Sequence, residues 1–344
     1  MFKGPKKRIE PLPAAGAHVP AEVVYTVLAE VVRSDQRAGA RMLSLSKMLH
    51  RRLEPLLYYQ VELYESDSIA AFARTVRDRP ETARMVRRLW ISPRHARSDL
   101  IGLLSPEATN DSHYVVQTRE QVFVDTRIIL RSCRRLVDVA LASLLVSSDA
   151  VHSYGTACQP LRLTSVNPHS FICGFGAPIF RRVIELNVFD LNLSNSEAEG
   201  IHKLRNLRSL QLVSPRDYGD IGRDARILRT ILSVGETLED TVAQMSLDTP
   251  QLEQVVVRAS SRRAQQIVDA VQPKTCVSLV AAGVPMEFID DWDALRDLVF
   301  DAHEDYARGA LDDVGISADP GNVFAGILKE WRSYAPVTGH APLA

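Results

Sequence analysis

An apolar-x-x-apolar-x-apolar pattern recurs eight times along this chain. It limits the possible folds more than any other feature. It occurs at Val86/Leu89/Ile91, Leu136/Val139/Leu141, Cys158/Leu161/Leu163, Val183/Leu186/Val188, Leu207/Leu210/Leu212, Leu252/Val255/Val257, Cys276/Leu279/Ala281 and Leu295/Leu298/Phe300. Successive starts stand about 50, 22, 25, 24, 45, 24 and 19 residues apart. A unit near 24 residues accounts for most steps, with the two long ones as doubled units. Helix-like stretches lie between the triplets, at 118–135, 223–238 and 262–272; in the first, Val122, Ile129 and Cys133 share a stripe. Strand, helix, strand at this period predicts parallel strands joined by helical crossovers. One unit alone buries too few aliphatics to offset the entropy of ordering it, so units must stack on neighbours and be capped at the ends.

The period falls within the ~20–29 residues of leucine-rich repeats. Those repeats place Asn after the third apolar residue, and here only Asn167 and Asn192 fall near that turn. The expected fold class is therefore α/β: an irregular leucine-rich-repeat-like solenoid with a parallel sheet over 64–310, then a cap helix and flexible tail over 311–344. The alternative is an ordinary α/β domain whose short buried strands match the pattern by chance. Strand alternation puts the residue between the two closely spaced apolar positions on the face away from the helices. Trp90, Arg162, Asn187 and Gln211 occupy such positions and are the expected target-binding residues. Trp90 either faces outward beside arginines or packs under the loop at 92–117.

Residues 1–18 hold three prolines, two glycines and four basic residues, a composition that predicts a disordered tail. Residues 19–63 read differently. Val19-Pro20 opens a helix, with Pro at its first turn and Glu22 near the positive end of the dipole. Val23, Val24, Val27, Leu28, Val31 and Val32 form one apolar stripe. Ser34 or Asp35 caps a second helix carrying Ala38, Met42, Leu45 and Leu49 on one face; Pro55 interrupts the pattern, and Val61-Glu62-Leu63 reads as a short strand. So small a module needs a partner or an adjoining domain for stability. It is either a docking element or a helical cap on the repeat region C-terminal to it.

This stretch resembles the F-box-like proteins abundant in mushroom-forming fungi. The matching residues are Pro20, Glu22, Leu43, Ser44, Leu45, Ser46, Pro55, Leu56, Leu57, Tyr58, Val61 and Leu63. Val19 stands where the family has Leu, and Met48-Leu49-His50 where many members have Cys-Arg-x-Trp. The resemblance implies a substrate-receptor subunit of a ubiquitin ligase, joined through a Skp-family adaptor to a cullin. Adaptor contacts would come from Pro20, Val23, Val27, Leu28, Leu43 and Leu45, and the solenoid would bind an unknown protein target.

Composition narrows the alternatives. A net charge of -1 argues against global attraction to nucleic acid or anionic membranes, and no apolar run approaches the roughly 18 residues that span a bilayer. Cys133, Cys158, Cys173 and Cys276 lack C-x-x-C spacing, which points away from zinc and from a disulfide framework and towards a reducing compartment, cytoplasmic or nuclear. The nine histidines form no i, i+3 or i, i+4 pair. Gly174-Phe-Gly-Ala-Pro178 lacks the third Gly and the Lys-Ser/Thr of a phosphate loop and reads as a turn. No nucleophile elbow or H-E-x-x-H occurs. The expectation is a non-enzymatic protein with no catalytic residue, metal or cofactor. Eight arginines at 74–97 and ten acids at 287–313 are either recognition patches or solvated faces. The competing functions are an Arg-rich nucleic-acid binder and a plain scaffold that binds no adaptor.

Overall fold

The computed structural model describes residues 21–93, 97–104, 113–142, 144–145, 158–166, 175–189, 193–213, 220–232, 252–271 and 277–283. Pro20, the segments 1–18, 287–313 and 311–344, and the triplet at Leu295 lie outside the described residues. The chain divides into two units, Met1–Leu53 with Asp305–Ala344, and Glu54–Glu304. Among the described residues there are ten α-helices and eight strands.

In the first unit α1 (Ala21–Ser34) packs on α2 (Gln36–Leu43). Asp35 starts α2: its Oδ1 accepts the N–H groups of Arg37 and Ala38 at 2.9 and 3.0 Å. The second helix expected here is in fact two. Ser44 Oγ donates to the Arg41 carbonyl at 2.7 Å, and Ser46 Oγ accepts the Leu49 N–H at 3.1 Å. Both serines give the backbone a local alternative to the helical ladder, so α2 ends and α3 (Lys47–Leu57) begins a few residues further on. Pro55 does not break α3, contrary to the sequence expectation. It sits in the last turn, where only one ladder bond is lost, and the Tyr58 N–H still reaches the Glu54 carbonyl at 3.1 Å.

The second unit is one sheet. Its strands are β1 (Gln60–Leu63), β2 (Arg88–Ile91), β3 (Asp138–Ala142), β4 (Arg162–Val166), β5 (Glu185–Phe189), β6 (Ser209–Val213), β7 (Gln254–Ala259) and β8 (Ser278–Gly283). They pair in sequence order, every pair parallel. The crossovers are α4 (Ser66–Asp78), α5 (Pro80–Met85), α6 (Asp99–Leu103), α7 (His113–Ser132), a 3-10 turn at Pro178–Phe180, α8 (Asn195–His202), α9 (Ile221–Leu232) and α10 (Ser261–Val271). Order that never reverses means each unit lies beside its predecessor, as the repeat demands.

One row across the sheet is Val61, Leu89, Val139, Leu163, Leu186, Leu210, Val255 and Leu279, spaced 28, 50, 24, 23, 24, 45 and 24 residues apart. The next row on that face, two residues on, is apolar except for Ser165. Both rows join the buried faces of the described crossovers in one core, with Ile69, Phe72, Ile129, Ile201, Leu228 and Ile267 among its helical members. A backbone device marks each unit. The two N–H groups entering a strand converge on one carbonyl of the preceding unit, as Val137 and Asp138 do on Arg87 at 2.8 and 3.1 Å. The same arrangement recurs at Tyr59, Val137, Leu161, Ile184 and Arg208.

One triplet is corrected. The sequence reading sets Cys158/Leu161/Leu163 in phase with the others, but Leu163 occupies the second position and Ser165 the third. A polar residue in a core row displaces the apparent pattern two residues towards the N-terminus. A slip of two preserves the face and changes the row. Helix α7 matches the expected 118–135 segment, α10 the 262–272 segment, and α9 the start of 223–238.

Candidate functional site

The sheet face away from the crossovers carries the expected target residues. Glu62, Trp90, Ala140, Thr164, Asn187, Gln211, Val256 and Val280 stand in one row. Trp90, Asn187 and Gln211 are thus aligned. Arg162 is not, because of the register slip; Thr164 holds its place.

Alternation gives Trp90 the expected face, outside the core cluster, yet it has no exposed surface. Arg162 and Asn187 are also buried, and Gln211 is half-buried. The expectation of an open binding face at Trp90, Arg162 and Asn187 is therefore corrected. The central strands β2–β5 are buried on both faces, the usual condition of a parallel sheet. The warning was legible. Ala140, Ala142, Val166, Phe189 and Val213 fill the supposedly outward rows with apolar side chains. Exposure returns only towards β7 and β8, at Gln254, Ser278 and Val280.

Arg162 instead belongs to a charge ladder that the sequence reading missed. The first residues of five neighbouring strands are Gln60, Arg88, Asp138, Arg162 and Glu185. Arg88 donates from Nη1 to Gln60 Oε1 at 2.7 Å and from Nε to Asp138 Oδ2 at 3.2 Å. An Nη of Arg162 lies 3.5 Å from the same Asp138 oxygen, and its Nε donates to Glu185 Oε2 at 2.5 Å. One row up on the same face, the Asn187 amide donates to Thr164 Oγ1 at 3.1 Å. Arg88, Asp138 and Arg162 are all buried. Burial pushes the Asp138 carboxyl up from the ordinary carboxylate range, and the two guanidiniums pull it back only in part. The central members of the ladder are buried, and its charges bear on the alignment of the strands. Opposite charges meet across the β2–β3, β3–β4 and β4–β5 pairs, and any of these strands displaced along its axis would set a buried charge against a non-partner. A second buried pair, Asp224 with Arg263, ties α9 to α10, and burial raises the Asp224 carboxyl as well.

The arginines of 74–97 do not form one patch. Arg87 and Arg88 are buried, Arg87 donating to the Arg84 carbonyl at 2.7 Å. Arg79 is ion-paired with Glu54 and Glu81. Arg74, Arg77, Arg84 and Arg97 remain exposed, and Arg94 lies outside the described residues.

In the helical unit, Val23, Val27 and Leu45 are 49%, 56% and 71% exposed, and Val24, one position from Val23, is 45% exposed. Leu28 is half-buried. Leu43 is buried, which corrects the expectation that it offers an open contact: it shares the buried stripe of α2 with Gly39, four residues before it. A cleft of about 230 Å3 beside it is lined by Leu43, Ser44, Ser46, Lys47, His50 and Arg51.

Cys133 and Cys158 are buried free thiols, each pushed up to about 12 by burial. Among the described residues no group of His, Cys, Asp and Glu has the geometry of a metal site, and no helix is long and apolar enough to cross a membrane. No family model, curated protein or solved structure matches the chain.

Proposed function

We propose that this chain is a non-enzymatic recognition protein of the F-box type. Its N-terminal helices dock a Skp-family adaptor on a cullin scaffold, and its leucine-rich-repeat-like sheet unit binds the protein to be ubiquitinated. The observation that carries the docking half is where apolar surface stays open. Of the six large apolar side chains exposed among the described residues, Val23, Val24, Val27 and Leu45 belong to the helical unit. Three of them are residues to which the resemblance assigns adaptor contact. Apolar side chains left in water at that density mark a surface that is covered in a complex. The sheet unit supports the recognition half: a sequential parallel stack with a consistent strand-entry hydrogen-bond pattern supplies a long edge.

The test is co-purification of the full chain with a Skp-family adaptor. Val27→Asp with Leu45→Asp should abolish capture while leaving the circular dichroism spectrum and Tm of the chain unchanged, because both side chains face solvent. Absence of capture by the unaltered chain would sink the docking half.

A further inference from the structure

We propose that the strand-entry edge of the sheet unit is a binding surface for an extended acidic polypeptide segment, held by arginines that recur at one position of the repeat. The inference rests on the recognition reading of that unit and not on adaptor docking by the helices.

Three turns lead into strands in the same phase. Arg134-Arg135 precede β3, Arg181-Arg182 precede β5 and Arg205-Asn206 precede β6, each pair ending four residues before the row of Val139, Leu186 and Leu210. Five of these six residues are arginine, and all six are exposed. The equivalent position before β4 is Cys158-Gln159. The turns are fixed. The N–H groups of Arg208 and Ser209 converge on the Ile184 carbonyl at 2.9 and 3.0 Å, those of Ile184 and Glu185 converge on Leu161, and Asn206 Nδ2 donates to the Arg181 carbonyl at 2.6 Å.

Because all strands run parallel, every entry turn falls on one edge of the sheet. Neighbouring strands lie about 4.8 Å apart, which sets the β3 and β5 pairs roughly 10 Å apart and the β6 turn about 5 Å beyond. The guanidiniums of Arg134, Arg135, Arg181 and Arg182 make no ion pair with any described residue, unlike Arg79, Arg88, Arg162 and Arg263. The buried Arg88, Arg162 and Arg263 are thus answered by carboxylates, whereas the exposed Arg134, Arg135, Arg181 and Arg182 are not. Arginine forks suit carboxylates bidentately. An extended peptide advances about 3.3 Å per residue, so acids three residues apart match the 10 Å step. Nucleic acid is the less favoured polyanion. Single-strand binding uses aromatic stacking platforms, and no Phe or Trp is among the exposed large apolar residues described. The net charge of the chain is also -1.

Fluorescence anisotropy on the full chain tests this with a labelled 12-residue peptide carrying Glu at every third position and Gly/Ser between. Saturable binding that weakens as salt is raised is expected. Arg134→Glu/Arg135→Glu and Arg181→Glu/Arg182→Glu should each raise the Kd about tenfold or more, whereas Arg74→Glu/Arg77→Glu, exposed on α4, should change it less than about twofold. Unchanged circular dichroism would show that the reversed variants still fold. No binding by the unaltered chain, equal losses in all three variants, or tighter binding of a 12-mer oligothymidylate than of the peptide would each overturn the proposal. Loss of adaptor capture with peptide binding intact would remove only the docking reading.

Discussion

Removing the carboxylate of Asp138 should strongly destabilise the sheet unit. Asp138 sits between two buried guanidiniums, with Arg88 Nε at 3.2 Å and an Nη of Arg162 at 3.5 Å. In Asp138→Ala those cations remain buried on either side of a strand with nothing between them. Arg88 keeps the neutral Gln60 amide, while Arg162 keeps Glu185, whose side chain is one-third exposed. Breaking a buried pair by deleting one partner costs about 3–5 kcal/mol, chiefly because the surviving charge is desolvated and uncompensated. For a unit of this size each kcal/mol lowers Tm by about 2–4 °C, giving a drop of roughly 6–20 °C.

Urea unfolding of the full chain measures the cost as a shift in midpoint at constant m-value. The diagnostic comparison is Arg88→Met/Asp138→Leu/Arg162→Met, which removes every charge at the centre of the ladder together. Replacing a complete buried ionic set with apolar residues of similar volume is often neutral, or stabilising by about 1–4 kcal/mol. The triple variant should therefore be at least as stable as the unaltered chain. A loss below about 1 kcal/mol for Asp138→Ala, or a triple variant as unstable as the single one, would refute the claim that the ladder is a desolvated, mutually dependent set.

The core row makes a simpler prediction: Leu210→Ala, at a fully buried member of that row, should cost about 3 kcal/mol in urea unfolding. Loss of the Asp35 cap in Asp35→Ala should cost about 1 kcal/mol and show as faster hydrogen exchange confined to α2, since its acceptor serves Arg37 and Ala38 at the start of that helix. Burial raises the carboxyls of Asp138 and Asp224 in the folded state. Folding therefore takes up protons, and stability falls as pH rises from the ordinary Asp range through the raised folded values; the slope of urea midpoint against pH over that window should flatten in Asp224→Asn. Cys133 and Cys158, with thiols pushed up to about 12, should resist maleimide at pH 8 until urea unfolds the chain, read by mass in a Cys173→Ser/Cys276→Ser background.

The core half of the sheet is legible in the sequence because strand alternation and the near-24-residue step both survive in the apolar residues. Every triplet that falls on a described strand carries the right phase except the one at β4. That exception shows where such reading stops. Ser165 occupies a core position in the row of Ile91, Leu141, Val188 and Leu212, and a pattern built on hydrophobicity has no means of accepting it. Leu161 and Leu163 offer an equally regular alternative two residues away. The helices are less legible at their ends, since Ser44 and Ser46 decide where α2 and α3 separate through bonds to their own backbone.

The opposite face is obscure for a different reason. Polar residues between apolar ones suggest a solvent-facing row, but in β2–β5 they are polar because they pair with each other. The residue immediately before the core row is Gln60, Arg88, Asp138, Arg162 and Glu185 in successive strands. Read singly, each is an ordinary polar or charged residue at a strand start. Only after β4 is moved by two residues does Arg162 leave the row of Trp90 and Asn187 and fall between Asp138 and Glu185, so that the signs alternate across the sheet. The error in register and the error in function are therefore one error. The turns before β3, β5 and β6, strands whose phase needs no correction, carry Arg134-Arg135, Arg181-Arg182 and Arg205, and no described residue of opposite charge answers the first four. Arginine at the start of β2 and β4 thus serves assembly of the sheet, whereas the arginines proposed to meet a partner sit in the turns before β3, β5 and β6, whose strands start with Asp138, Glu185 and Ser209.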